Sequence, residues 1–86
     1  MSLADVLQVL RNLDKIEVEF VTLLLWAHFN DNPFSLRQID LRIKEAKLKE
    51  LLGDMVKQGL MLRMGDSWMI TTSGHAKARG VLVWFL

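Results

Sequence analysis

Five basic side chains, Arg37, Arg42, Lys44, Lys47 and Lys49, fall close together in the middle of the chain, and Lys57 and Arg63 follow. Cations at this density neutralise phosphates well, and each one so used steepens the loss of nucleic-acid affinity with added salt. Ser67 adds a hydroxyl near Arg63 in sequence, a group able to donate to a phosphate oxygen. Residues 1–34 carry Arg11 and Lys15 against five carboxylates, a net −3; residues 35–86 carry nine Lys or Arg against five carboxylates, a net +4. A polyanion would therefore meet the second part of the chain. Lysines on a surface helix are also commonly no more than a solvated face. The net charge of the whole chain, +1, falls short of that of a dedicated nucleic-acid binder, so both roles stay open.

Other chemistry is sparse. There is no cysteine, which excludes disulfides and thiolate metal ligands, and His28 and His75 lie far apart in sequence with no carboxylate at ligand spacing. No Ser-His-carboxylate order, glycine-rich phosphate loop or carboxylate pair can be assembled, so the sequence predicts neither enzyme activity, nor a cofactor, nor a metal site. His28 reads as a helix-end histidine, and His75 as a surface histidine able to touch a phosphate. Glu50 could accept from a cytosine amino group, although a solvating glutamate fits as well. Trp26, Trp68 and Trp84 read as core or interface anchors, since no basic-aromatic interleaving marks a single-strand platform.

The elements that must position these groups follow from spacing. With 86 residues there is room for one hydrophobic core and one domain, 1–86. Leu3, Val6, Leu7 and Leu10 recur at helical intervals behind "SLAD", which predicts a helix over 1–13. Asp14 with Glu17 opens a second helix through about Phe29, ended by "NDNP"; the two could also form one bent helix. The second carries two apolar faces, Ile16, Phe20, Leu23, Leu24 and Val18, Val21, Leu25, Phe29, as a helix sandwiched between layers does. Ser35 with Gln38, followed by Leu36, Ile39 and Ile43, predicts a helix of little more than two turns that carries Arg37 and Arg42. The next helix presents Leu48, Leu51, Leu52, Met55 and Val56 on one stripe and stops at Gly59. From Leu60 the period changes to two, "GDS" turns the chain and "WMIT" returns, predicting a hairpin whose packed face is Leu60, Leu62, Trp68 and Ile70. Thr71 or Thr72 would cap a last short helix that Gly80 ends.

Two strings in this order carry a family resemblance. "LLGDMVKQGLM" resembles the apolar helix ending in a Lys-x-Gly-Leu step that leads into the wing of winged helix-turn-helix domains. "ITTSGHAKA" resembles the segment that leaves the wing in MarR-like and related small prokaryotic or viral DNA-binding regulators, with Ile70, Thr71 and Gly74 matching and His75 where arginine is usual. The likeness spans residues 15 to 79. The turn "RIKEAK" departs from the pattern, being shorter and without the customary glycine. The fold implied is mainly α with a small β-hairpin, α-α-α-α-β-β-α, with a winged core over 14–79. The function implied is double-stranded DNA binding as a transcriptional regulator, with Arg37, Arg42, Lys44, Lys47, Lys49, Lys57, Arg63 and Ser67 as contacts. Its alternative is a winged-helix protein-interaction module with no nucleic-acid role.

The end of the chain, "VLVWFL", contains no polar side chain. Burying its larger side chains is worth roughly 1.5–3 kcal/mol each, enough to offset the ordering of a chain end. Two placements stay open: packing of this 80–86 tail within the monomer, or a homodimer interface in which Leu3, Val6, Leu7 and Leu10 join Val81, Leu82, Trp84 and Phe85. An apolar share of 51% is consistent with self-association. The apolar runs reach about eight residues against the ~20 needed to cross a bilayer, and no leader opens the chain, so a cytoplasmic protein without membrane contact is expected.

Overall fold

The computed structural model describes residues 15–83, with side chains from Val18 onward. The predicted helix over 1–13, with Leu3, Val6, Leu7 and Leu10, and the tail positions Trp84 and Phe85 lie outside the described residues. What remains is a mainly helical protein with a two-stranded antiparallel hairpin: α1 (Lys15–Asn30), a 3-10 turn (Leu36–Gln38), α2 (Glu45–Lys57), β1 (Met61–Met64), β2 (Ser67–Ile70) and α3 (Thr72–Val83).

Helix α1 buries Leu23, Leu24 and Ala27, at the i, i+1, i+4 spacing of a core-facing stripe, with Phe20 half-buried beside them. Its other apolar face is covered only in part among the described residues: Val21 and Leu25 are half-buried, while Val18 and Phe29 are exposed. Asp31 ends the helix in the left-handed region, φ 37°, donating its N–H to the Ala27 carbonyl at 3.0 Å; a short polar side chain makes that conformation tolerable.

The helix predicted after Ser35 does not form. Ser35 does receive its capping partner, its N–H donating to Gln38 Oε1 at 2.8 Å, but only a single 3-10 turn follows and Ile39 is already extended at φ −78°, ψ 108°. The reason is visible in the period. Ile39, Leu41 and Ile43 are buried or half-buried while Asp40, Arg42 and Lys44 are exposed, a strict alternation that a helix cannot satisfy. Leu41, half-buried between Ile39 and Ile43, breaks the helical stripe of Leu36, Ile39 and Ile43. Just before the turn, Phe34 exchanges two backbone hydrogen bonds with Trp68, at 2.8 and 2.9 Å, adding a one-residue rung to the edge of the hairpin.

Helix α2 buries Leu48, Leu51, Leu52 and Met55, and Val56 at the edge of the predicted stripe is exposed. It ends as its sequence requires. Gly59 takes φ 74°, its N–H reaches the Val56 carbonyl at 3.0 Å, and the Leu60 N–H reaches Met55 at 2.8 Å, the paired bonds of a Schellman ending. Leu60, folded back, is buried.

That ending sets the phase of the hairpin. Because Leu60 belongs to the helix cap, β1 begins at Met61, and the register Met61↔Ile70, Arg63↔Trp68 places Met61, Arg63, Trp68 and Ile70 on one face. Met61, Trp68 and Ile70 are buried, whereas Leu62, expected in the packed face, points outward and is half exposed. The turn is Gly65–Asp66, with Gly65 at φ 62°, a conformation that two-residue hairpin loops favour.

Thr71 joins hairpin to helix three times over. Its N–H donates to the Leu60 carbonyl at 3.0 Å, its Oγ1–H to the Gly59 carbonyl at 2.6 Å, and its Oγ1 accepts from the Gly74 N–H at 3.0 Å as the cap of α3. Helix α3 does not stop at Gly80. It runs to Val83, since Gly74, Ala78, Val81 and Leu82 form one continuous i, i+4, i+7, i+8 stripe, buried or half-buried, and Gly80 makes no left-handed reversal. Residues 80–83 are thus helix and not a separate tail. None of the described helices is long and apolar enough to cross a membrane.

Candidate nucleic-acid interface

Packing α2 and the hairpin on the same core leaves a trough between the outer side of the helix and the concave face of the strands. One part, about 400 Å³, is lined by Lys49, Gly53, Val56, Lys57, Arg63 and Trp68. The adjoining part, about 520 Å³, shares Lys49, Arg63 and Trp68 and adds Ser35, Leu36, Arg37, Glu45 and Asp66. Four cations, Arg37, Lys49, Lys57 and Arg63, therefore face two carboxylates, Glu45 and Asp66.

The best-oriented of these cations is Arg63. Its guanidinium carbon lies 5.4 Å from the Trp68 ring centroid and its Nε–H donates to the Gly65 carbonyl at 3.0 Å. A cation held over an aromatic face keeps outward donors while losing little conformational freedom on binding. Trp68 is itself fixed: it is buried, bridged to Phe34 and opposite Arg63 in the ladder. Phe34 in turn meets Trp26 edge-to-face at 5.0 Å, and Trp26 Nε1–H donates to Asp40 Oδ1 at 2.8 Å, so the trough wall is tied to α1.

The remaining sequence candidates disperse. Arg42 is exposed in the extended segment, and Arg37 sits on the 3-10 turn; neither rides on the predicted helix. Lys44 occupies the N-cap of α2 without a side-chain capping bond. Lys47 is half-buried beside Glu50, 3.5 Å away, and lines neither part of the trough. Lys49 approaches Glu45 at 3.9 Å with both side chains well exposed, a pairing worth little in water. Ser67 pairs with Met64 on the outer face of the hairpin, away from Trp68. The trough side of α2 is formed by Lys49, Gly53, Val56 and Lys57, at i, i+4, i+7, i+8. Glu50 falls outside it.

A second polar cluster escaped sequence reasoning. His28 Nδ1 and His75 Nδ1 are 2.8 Å apart, and His75 Nε2 is 2.8 Å from Asp31 Oδ1. Both nitrogens of His75 are thus within hydrogen-bond distance of internal partners, tying the end of α1 to the first turn of α3. His28 and Asp31 sit at i, i+3 on a helix end, but nothing in sequence indicates that His75, 44 residues beyond Asp31, meets them. Among the described residues, no group of three His, Cys, Asp or Glu side chains is placed to hold a metal ion.

Compared with known protein families, with curated proteins and with solved structures, the chain finds no match in any of the three.

Proposed function

We propose that this chain is a small winged-helix protein that binds double-stranded DNA through the trough, as a homodimeric, cytoplasmic transcriptional regulator. The observation that carries the reading is the convergence of Arg63, stacked on Trp68, with Lys49 and Lys57 across a single concave surface. In this arrangement α2, about 20 Å long, is offered to a major groove about 12 Å wide, and the hairpin meets the neighbouring backbone. Arg37 extends the same cationic surface. Val81 and Leu82, half-buried, and the exposed Val18 and Val83 supply apolar surface for a twofold contact along α1 and α3. Fluorescence anisotropy with a labelled duplex tests the reading. The double variant Lys49→Ala/Arg63→Ala loses binding, whereas Lys47→Ala, on the same helix but outside the trough, retains it; equal binding by both contradicts the assignment.

A second reading, a protein-interaction module without a nucleic-acid role, draws on the outer face of the hairpin. Leu62 and Met64, 50% and 41% exposed, stand on the same face there, an unusual position for two large apolar side chains. Light scattering separates the readings: a stable dimer accompanies the first, and a self-adhesive monomer that a different protein chain renders soluble accompanies the second.

A further inference from the structure

We infer that Gly53 is a bare notch on α2 against which one sugar–phosphate strand of the duplex lies, an inference that rests on the DNA-binding reading above. Glycine in a helix interior is about 1 kcal/mol less favourable than alanine, so its presence in the middle of α2 calls for a reason. The fold supplies reasons for three other glycines. Gly59 and Gly65 have positive φ, and a methyl group at Gly74 would run into the Leu60 carbonyl and the Ile70 side chain. Gly53 has neither: its φ is ordinary, it is exposed, and a Cβ there would meet nothing within 4 Å. No internal contact requires the missing side chain.

Its surroundings show what the space faces. Gly53 lines the trough, with Lys49 one turn before it and Lys57 one turn after it on α2, and with Arg63 and Trp68 of the hairpin in the same lining. A strand of phosphates resting on the bare helix backbone sits between cations on both sides. A side chain at this position would add carbon between the helix backbone and that strand and push the strand outward, weakening its contact with the trough cations. The cationic lining, with Lys49, Lys57 and Arg63 and no carboxylate among the described residues of this part of the trough, is complementary in charge to a phosphate backbone.

Gly80 provides the control. It too is helical, exposed and has open space around a would-be Cβ, but it lies on α3, away from the trough. Gly53→Ala and Gly80→Ala both raise the urea midpoint, because both remove the same helix penalty. They diverge in duplex binding at 50 mM salt, compared at protein concentrations where light scattering gives the same oligomeric state for every variant: Gly80→Ala leaves affinity unchanged, Gly53→Ala weakens it about tenfold, and Gly53→Leu weakens it further with a shallower salt dependence. Unchanged affinity and slope in both Gly53 variants, with the parent binding normally, overturns the notch and leaves the DNA reading intact. A parent protein that does not bind duplex overturns both.

Discussion

The guanidinium of Arg63 and the indole of Trp68 face one another across the hairpin ladder, 5.4 Å from carbon to ring centroid, on the side of the strands that looks toward α2. This pair joins the core to the candidate interface: Trp68 is buried, Arg63 is exposed, and the register that aligns them is set by the Gly59–Leu60 helix ending.

From that geometry, Arg63→Lys and Arg63→Ala separate charge from stacking. Lysine keeps the charge but neither the planar fork nor the stack, so duplex affinity drops several-fold while the salt slope is retained. Alanine also removes about 0.9 from the magnitude of the slope. The check is anisotropy over a salt series, and identical slopes for all three proteins count against a phosphate contact at Arg63.

Lys49 and Lys47 are two residues apart, yet only Lys49 lines the trough. Lys49→Ala lowers the slope by about 0.9, and Lys47→Ala changes it little. The reverse order of effects would mean that the face of α2 opposite the hairpin meets the ligand.

The His28–His75 contact predicts a coupling free energy. Part-buried and linked at 2.8 Å, the two rings contribute roughly 0.5–1.5 kcal/mol beyond their separate contributions, measurable in a double-mutant cycle of His28→Ala and His75→Ala by urea unfolding. DNA affinity should be unaffected, since the pair lies outside the trough. A coupling near zero would show that the rings do not hold α1 to α3.

Gly74→Ala places a methyl group against the Leu60 carbonyl and Ile70, at the point where Thr71 caps α3. The expected cost is about 1–3 kcal/mol, with a lower melting temperature. An unchanged melting temperature would mean that the hairpin-to-helix junction yields without penalty.

The parts of this fold legible in the sequence are those fixed locally. The Gly59 ending, the Gly65 turn and the Thr71 cap each depend on residues a few positions apart with distinctive conformational needs. The misread parts involve competition between levels. The segment after Ser35 carries a helix-start signature, but its alternating Ile39, Leu41 and Ile43 are better buried in an extended chain. The alternation from Leu60 puts Leu62 on the packed face, but Leu60 belongs to the helix cap, so the strand starts at Met61 and Leu62 faces outward. Gly80 suggests a stop, although the stripe of α3 continues through Val81 and Leu82. The Phe34–Trp68 rung and the His28–His75–Asp31 chain were not legible at all, because each joins segments more than 30 residues apart whose meeting is decided by the packed core. Of the candidate interface, the cations were found by composition, but which of them converge was decided by the register of the hairpin.

Duplex-DNA affinity of the unmodified protein, followed from 50 to 200 mM salt, tests the central claim most directly. With four trough cations engaged, a log–log slope of about −3 to −4 and a loss of roughly a hundredfold in affinity are predicted. Absence of binding at 50 mM, or a slope near zero, contradicts the assignment of this surface to DNA.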